Sequence, residues 1–245
     1  MLDPKNAVAF FDSEKEAMST GNSYPARQKH MVIKLIANPT AGRGGKGTIC
    51  QVEKYLKQRG ATVELCETIQ RGDALCAARE AACSGRVDIV AAAGGDGTIN
   101  EIINGLAGSP IPLGVIPFGT VNVFALETGI PMDPFMACDI ILNGDPKKIN
   151  LGRINDNYFL LMAGIGFDAY VVYGLDLRLK RLAGRLSYII TALGSIFSYP
   201  GYPLEIELEG GKKIQGHGVV VGNMKYYGGT FSITPFADYE RNDLD

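Results

Sequence analysis

A chain of 245 residues that is 46% hydrophobic and 20% charged has enough apolar material for a folded core, which excludes a wholly disordered or collagen-like protein. Lysine and arginine together number 24 against 26 acidic residues, so the net charge is −2. This balance excludes a globally basic nucleic-acid binder, although it allows a local basic patch. The length predicts one large domain or two smaller ones, since domains usually run ~100–200 residues.

The cysteines and the apolar segments predict a cytoplasmic protein. The chain has five cysteines without a C-x-x-C pair, and such an odd, unpatterned set is typical of reduced thiols in the cytosol. Residues 1–30 carry charges but no apolar stretch of the kind that a secretory signal needs. The longest apolar run, Leu186 to Tyr199, is shorter than the ~20 residues of a membrane-spanning helix. We therefore expect a protein that is not integral to a membrane.

Residues 1–30 read as a poorly ordered extension or a loose helix, and regular elements begin at Met31. Apolar, β-branched runs that stop at asparagine, proline or glycine indicate buried strands, whereas apolar residues at helical spacing indicate helices. The predicted strands are Met31–Ala37, Thr62–Thr68, Asp88–Ala93 and Pro112–Ile116. The predicted helices are Lys46–Arg59, Asp73–Cys83, Ile99–Leu106 and a helix through Val123 and Leu126. This alternation predicts an α/β domain with a parallel sheet that is covered on both faces.

The pattern changes near Gly144 to short strands separated by glycine turns, which is typical of an antiparallel second domain. The predicted strands are Lys148–Arg153, Tyr158–Ala163, Leu204–Leu208, Lys213–Gly222 and Thr230–Thr234, and a helix from about Leu179 to Phe197 interrupts them. We therefore divide the chain into an extension at residues 1–30, an α/β domain at 31–145 and a β-rich domain at 146–245.

The strongest functional signal is the run from Gly94 to Glu101, which reads Gly-Gly-Asp-Gly-Thr-Ile-Asn-Glu and leads from a strand into a helix. Ligands bind at the carboxyl ends of strands in an open parallel sheet, and glycines there let backbone N–H groups approach a phosphate. Thr98 can cap the helix or bond a phosphate oxygen. Asp96 makes sense at such a place if it faces Mg²⁺ or takes the proton of an attacking hydroxyl. The alternative is a plain Gly-Asp-Gly turn that Thr98 caps.

The loop Pro117 to Asn122 repeats this design after the next strand. Gly119 allows the turn, while Thr120 and Asn122 offer neutral polar contacts to a ligand. Its alternative is an ordinary capped turn between a strand and a helix. Because it follows a strand of the same parallel sheet, we expect it to line the same crevice as the loop Gly94 to Glu101.

The loop Asn38 to Gly47 follows the first predicted strand and contains a formal G-x-G-x-x-G match. It is not a dinucleotide fingerprint, because Asn38 to Ala41 separate its first glycine from the strand, and it is not a Walker loop, because Gly47 follows Lys46. Asn38, Arg43 and Lys46 are its polar and cationic candidates for binding a nucleotide, with a solvated loop as the equal alternative for the two cations. Thr68, at the end of the second strand, is expected at the edge of the crevice.

With these loops in place, the sequence resembles the diacylglycerol kinase catalytic-domain family, specifically the soluble bacterial-type lipid kinases related to sphingosine kinases. The combination of motifs is more specific than the G-G-D-G-T loop alone, which NAD kinases share. The matching stretches are Asn38-Pro39 with Gly42, Thr68 with Gly72-Asp73-Ala74, Gly94 to Glu101, Pro117 to Asn122 with Ala125, Gly164 to Ala169, Gly222 to Met224, and Tyr227 to Gly229.

The resemblance implies an α/β nucleotide-binding domain followed by a β-sandwich, with the site in the cleft between them. It implies that ATP, accompanied by Mg²⁺, gives its γ-phosphoryl group to the hydroxyl of diacylglycerol or a related long-chain lipid. Asp96 matches the aspartate that acts as the base in related kinases, although a later glutamate has that role in the bacterial lipid kinases. Together with the loop analysis, the candidate nucleotide-binding residues are Asn38, Thr68, Gly94, Gly95, Asp96, Gly97, Thr98, Ile99, Asn100, Gly119, Thr120 and Asn122.

Two features depart from the family pattern. Family chains usually continue to an acidic D-G-E segment that is missing here, so we expect a C-terminally incomplete sandwich. The Asp-Asp-Gly turn that usually helps to hold a structural Mg²⁺ reads Glu240-Arg241-Asn242-Asp243 here, and no metal ligands are assigned. Two alternatives stay open: an NAD kinase-like small-molecule kinase, and a catalytically silent nucleotide- or lipid-binding module.

A lipid acceptor lies in a bilayer, so the resemblance implies a peripheral contact with the membrane. Four cations, Arg178, Lys180, Arg181 and Arg185, precede the apolar run Leu186–Phe197. Such cations attract anionic headgroups, and an apolar helix face can rest among them. The alternative for the helix is packing on the sheet of the second domain. A homo-oligomer is also open, whereas nucleic acid is not an expected partner.

Overall fold

The computed structural model of the protein describes residues 8–11, 31–42, 45–174, 198–208 and 210–245. The helices in these ranges are α1 Lys46–Gln58, α2 Asp73–Ser84, α3 Asp96–Leu106, α4 Val123–Glu127, α5 Pro134–Asn143 and α6 Phe167–Tyr173. The strands of the first domain are β1 Val8–Phe11, β2 Val32–Ala37, β3 Thr62–Glu67, β4 Ile89–Gly94, β5 Leu113–Pro117 and β6 Pro146–Ile149. Those of the second are β7 Gly152–Ile154, β8 Asn157–Phe159, β9 Met162–Gly166, β10 Leu204–Glu207, β11 Lys213–Gly216, β12 Gly218–Gly222, β13 Tyr226–Gly228 and β14 Phe231–Ser232.

The first domain is a six-stranded sheet in the order β3-β2-β4-β5-β1-β6, and it is parallel except for β6. β4 is buried along its whole length, because its side chains are small or apolar and it has a parallel neighbour on each side. The apolar faces of α2 and α3 join one core cluster and those of α1 and α5 join another. The predicted α/β sheet with helices on both faces is thus confirmed.

The N-terminal strand differs from the expectation of a loose extension. β1 lies inside the sheet, parallel to β5 on one side and antiparallel to β6 on the other. Val8 and Phe10 are fully buried, and the ring of Phe10 packs edge-on against that of Phe124 with centroids 5.2 Å apart. An isolated run of four residues carries little periodic signal, and its burial depends on partners that are distant in the sequence.

The second domain consists of antiparallel strand pairs, as the sequence predicts: β7 with β8, β9 with β12, β10 with β11, and β13 with β14. The longer predicted strands are divided by turns, so that Lys148–Arg153 overlaps β6 and β7 and Lys213–Gly222 gives β11 and β12. Because β6 pairs with β1, the first sheet extends to Ile149, past the predicted domain boundary at residue 145.

Helices α5 and α6 were not predicted from the sequence. α5 begins at a Pro134 that Asp133 caps, and its apolar side chains are too continuous to show a clear helical spacing. The predicted helix Leu179–Phe197 and the cationic cluster before it lie outside the described residues. None of the helices in the described ranges is long and apolar enough to cross a membrane. All five cysteines are free thiols, with Cys138 buried.

Candidate functional site

Three loops meet at the carboxyl edge of the sheet, and they are numbered here in chain order. The first loop, which begins at Asn38, follows β2; the second, Gly94 to Thr98, follows β4; the third, Pro117 to Asn122, follows β5. The N–H group of Asn38 donates to the carbonyl of Ala93 at 2.9 Å, and that of Phe118 donates to the carbonyl of Gly94 at 2.9 Å. The ladder of the sheet therefore continues into the loops. The three loops that the sequence singles out lie side by side as a result.

Glycines allow these loops to touch each other through their backbones. A Cβ atom on Gly42 would lie 2.9 Å from backbone atoms of residues 118–120, and one on Gly119 would lie 2.7 Å from the Cα of Gly95. Both distances are shorter than an ordinary nonbonded contact, so a larger residue would separate the loops. From the sequence, Gly119 was expected to allow a turn, and Gly42 was one of the residues that carry the family resemblance. The structure adds a packing requirement for both.

Gly97 differs from these glycines, because a Cβ atom there would meet no heavy atom within 4 Å. It lies in the first turn of α3 and is exposed, as Thr120 is in the neighbouring loop. The carbonyl of Gly95 accepts the N–H groups of Thr98 and Ile99 at 2.9 and 3.1 Å. The bonds of α3 therefore begin after residue 97, at the positive end of the helix dipole. The open space beside Gly97 is thus suited to an anion.

Thr98 and Asn38 tie two of the loops together. Thr98 is 7% exposed, and its Cβ atom lies 2.6 Å from the place that a Cβ on Gly94 would take. The side-chain nitrogen of Asn38 donates to the Thr98 hydroxyl at 3.4 Å. The side-chain oxygen of Asn38 accepts the backbone N–H and the hydroxyl of Thr40 at 3.0 and 2.8 Å. These two predicted site residues therefore fix the shape of the site.

Asp96 holds the start of α4. Its Oδ2 atom accepts the N–H group of Val123 at 3.0 Å, and its Oδ1 atom accepts that of Phe124 at 3.1 Å. Asp96 is half-buried, and its two bonds join the second loop to α4, the helix that follows the third loop. Each carboxylate oxygen has more than one lone pair, so these bonds leave it able to accept from a hydroxyl or to bind a cation. The sequence predicted an anion here but not its bonds to α4.

Three of the predicted site residues have side chains that serve the fold. Ile99 is fully buried in the core, so it presents no side chain to a ligand. Asn100 accepts the N–H group of Leu160 at 3.3 Å, which directs it to the second domain. Asn122 is 4% exposed and donates to the carbonyl of Gly119 at 2.9 Å. Its buried Oδ1 atom has no hydrogen-bond partner among the described residues, and it closes the third loop from inside.

Thr68 lies at the edge of the loop cluster, where its N–H group donates to the carbonyl of Ala37 at 2.8 Å. The turn that follows is shaped by Asp73, whose carboxylate accepts the N–H groups of residues 70 and 69 at 2.9 and 2.8 Å. These bonds hold the pKa of Asp73 below its ordinary range, because they favour the charged form. The N–H group of Gly72 donates to Glu101 at 3.0 Å, which joins this turn to α3.

The structure describes one of the two cationic candidates of the first loop, Lys46. The Lys46 side chain is 80% exposed and lies 4.0 Å from a carboxylate oxygen of Glu67. Arg43 lies outside the described residues. Their expected contact with a nucleotide stays a prediction.

The stretch that corresponds to the family's metal turn is occupied by an ion pair between Arg241 and Asp243. In the parts of the chain that the structure describes, no group of three or more His, Cys, Asp and Glu side chains is placed to hold a metal ion. The structure therefore adds no metal ligand to the sequence, which assigned none.

Sequence reasoning missed a carboxylate at the junction of the two domains. The two oxygens of Glu127, the last residue of α4, accept the N–H groups of Lys225 and Tyr226 at 2.8 and 3.0 Å. Asp168, which accepts the hydroxyl of Tyr227, lies within the stretch Gly164 to Ala169 that carries the family resemblance, but the sequence assigned it no role of its own. The one available signal for Glu127 was its acidic side chain, which stands at the end of an otherwise apolar helix.

Two family models account for most of the chain. The model described as the diacylglycerol kinase catalytic domain matches residues 32–154, which include all three loops. The model described as the YegS C-terminal NAD kinase beta sandwich-like domain matches residues 162–245. The chain therefore belongs to the diacylglycerol kinase catalytic-domain family, and the fold expected from the resemblance is confirmed.

Similar proteins support this assignment. A diacylglycerol kinase of Bacillus subtilis is 40% identical over 189 residues, and one of Staphylococcus haemolyticus is 36% identical over 179 residues. These matches cover 75% and 72% of this chain, but 61% and 54% of the relatives' own lengths. The crystal structure of a diacylglycerol kinase from Bacillus anthracis matches with a TM-score of 0.69 at 27% identity, over 88% of this chain and 71% of that one.

Proposed function

We propose that the protein is an ATP-dependent kinase that transfers the γ-phosphoryl group to the hydroxyl of diacylglycerol or a related long-chain lipid. The observation that carries the proposal is the meeting of three glycine loops at the carboxyl edge of the sheet, with open space at Gly97 beside the start of α3. Family membership supports phosphoryl transfer as the reaction. The names of the relatives support a lipid as the acceptor.

The loop Gly94–Thr98 would bind the phosphates through backbone N–H groups at the positive end of α3. The exposed Thr120 would add a hydroxyl from the neighbouring loop. Asn38 would act indirectly, because its bond to Thr98 keeps the first and second loops in register. Thr68, at the edge of the sheet, would contact the part of the nucleotide that lies outside the phosphate-binding space.

Mg²⁺ that arrives with ATP would neutralise charge on the phosphates. Such an ion is usually held by one or two carboxylates together with water and phosphate oxygens. Asp96, in the phosphate-binding loop, would be the carboxylate that the protein provides. Asp96 would contact the ion or take the proton of the lipid hydroxyl. In either role, the two N–H bonds from α4 would hold the carboxylate in one orientation.

Asp96→Asn tests this role. It removes the charge and sets an NH₂ group against one of the two N–H donors of α4. We expect turnover to fall on the order of 10²-fold or more, the scale of a lost general base. Stability should also fall by about 1–3 kcal/mol, since one donor loses its acceptor. Turnover equal to that of the wild type, measured where both proteins are folded, would refute the role of Asp96.

A lipid acceptor would place the protein at the surface of a bilayer, and the cations at residues 178–185 are the proposed contact. We expect binding to vesicles that contain anionic lipid, weakened by salt and by reversal of the charges of Lys180 and Arg181. Sedimentation with vesicles measures this. Equal binding to neutral and anionic vesicles, unaffected by salt, would rule out an electrostatic contact.

The deciding experiment is transfer of labelled phosphate from ATP to a panel that contains diacylglycerol, other long-chain alcohols and NAD. Gly97→Val serves as the blocked control, because its side chain would fill the open space beside α3. Labelled lipid with the wild type and none with the control supports the proposal. Labelled NAD, or binding of ATP without any transfer, would overturn it.

A further inference from the structure

Helix α4 is fixed at both ends through carboxylates: Asp96 binds its start, and its own last residue, Glu127, binds the second domain. At its start, the two oxygens of Asp96 accept the first two N–H groups of the helix at 3.0 and 3.1 Å. At its end, the two oxygens of Glu127 accept the N–H groups of Lys225 and Tyr226, in the second domain, at 2.8 and 3.0 Å. Residues 123–125 between them are buried, so this single turn of helix cannot shift without losing core contacts.

The segment that Glu127 binds is firmly seated in the second domain. Asn223 is fully buried, and its side-chain nitrogen donates to the carbonyls of Asn150 and Leu160, both at 2.9 Å. Just past the segment, the hydroxyl of Tyr227 donates to Asp168. A displacement of Glu127 would therefore move this part of the second domain as one body.

We propose that Glu127 is a positioning residue that transmits the position of the phosphate-binding loop to the second domain through α4. The inference rests on the proposed function, since the linkage would hold the acceptor side of the cleft in line with the bound phosphates. The route is short, because it consists of one carboxylate, one helical turn and a second carboxylate. A carboxylate suits both ends because it accepts two N–H groups at once, whereas an amide offers one oxygen and one donor.

Substitutions of Glu127 should separate turnover from nucleotide affinity. A misplacement of ~1 Å that arises far from the reacting atoms can lower the rate ~10²-fold, so Glu127→Gln should lower kcat about 10- to 100-fold. The affinity for ATP should stay within about 2-fold, since α4 and Asp96 keep their contacts. Glu127→Asp, which retains two oxygens on a shorter side chain, should recover part of the lost kcat. A general loss of stability would not lower kcat while leaving the affinity for ATP unchanged.

Amide hydrogen exchange tests the linkage in the full chain. In the wild type, a non-hydrolysable ATP analogue should slow exchange at Lys225 and Tyr226. Glu127→Gln should bind the analogue with the same affinity in calorimetry and show no such protection at these amides. Glu205→Gln is the matched control, because Glu205 lies on an exposed strand of the same domain and pairs with Lys213 at 2.7 Å. It should behave as the wild type does.

Equal analogue-dependent protection in the wild type and in Glu127→Gln would overturn the inference. A parallel loss of kcat and of ATP affinity would also overturn it. A wild-type protein that binds the analogue but phosphorylates no lipid refutes the proposed function alone. In that case, protection that is lost in Glu127→Gln still supports the linkage, whereas no analogue binding to the wild type overturns both proposals.

Discussion

Replacing Gly42 by alanine tests whether direct backbone contact holds the three loops together. The new Cβ atom would lie 2.9 Å from backbone atoms of residues 118–120, whereas ordinary contacts begin near 3.4 Å. Backbone atoms cannot swing aside as a flexible side chain can, so the first and third loops would have to separate by about 0.5 Å. The perturbation is thus confined to the place where the two loops touch.

The cost follows from overpacking. Extra methyl groups in a closely packed region cost roughly 1–3 kcal/mol, and each kcal/mol lowers the melting temperature of a protein of this size by roughly 2–4 °C. We expect Gly42→Ala to melt roughly 2–12 °C below the wild type in calorimetry. Because the third loop carries Thr120, affinity for an ATP analogue should also fall, by about tenfold for each 1.4 kcal/mol of binding that the shift removes.

Gly47→Ala is the matched control, since it makes the same chemical change a few residues away. A Cβ atom on Gly47 would meet nothing within 4 Å, and the residue lies in the first turn of α1. Alanine in a helix is favoured over glycine by roughly 0.5–1 kcal/mol, so this variant should melt slightly above the wild type and bind the analogue equally well. Shifts of the same sign in both variants, or unchanged nucleotide affinity in Gly42→Ala, would refute the packing argument.

Three further predictions use other parts of the first domain. Gly97→Val should fold normally, because its side chain meets open space in α3, but calorimetry should detect no binding of the ATP analogue. Two backbone N–H bonds hold the pKa of Asp73 below its ordinary value of 3.8 in the folded protein. The stability that the Asp73 carboxylate contributes to the fold is therefore complete above pH 3.8, and it is lost as the pH falls through the lower pKa of the folded protein. The gap in urea stability between the wild type and Asp73→Asn should therefore shrink below pH 3.8, and a constant gap would contradict this. Burial, followed by nearby carboxylates, raises the pKa of Cys138 to about 12, so iodoacetamide near pH ~8 should label exposed Cys50 and Cys76 and reach Cys138 only after unfolding.

The parallel sheet was predictable because its strands can be recognised from their own short segments of the sequence. The run Ile89–Gly94 has only small and apolar residues and is buried at every position, which is what a central parallel strand requires. The glycine loops follow such strands directly, and the geometry of a parallel sheet then places them at one edge. For these features, composition and order along the chain were sufficient.

Elements whose burial depends on distant partners were not predictable in the same way. The strand Val8–Phe11 is short, and it becomes an interior strand because β5 and β6 lie on either side of it. The strand Pro146–Ile149 has only one buried side chain, and the sequence predicted only its last two residues, as part of the strand Lys148–Arg153 in the second domain. Its place in the first sheet follows from its pairing with β1. Both differences from the prediction concern the same side of the sheet, where long-range contacts decide the structure.

The carboxylates show the same limit at the level of single residues. From the sequence, Asp96 is an anion in a loop suited to phosphate, and Glu127 is an unremarked acid at a helix end. In the fold, each carboxylate receives two backbone N–H groups from a segment that the sequence does not connect to it. An acceptor can be recognised from residue type, but its donors are set by tertiary structure. Helix α4, which has five residues, therefore connects Asp96, from which the chemistry is expected, to the segment of the second domain that Glu127 binds.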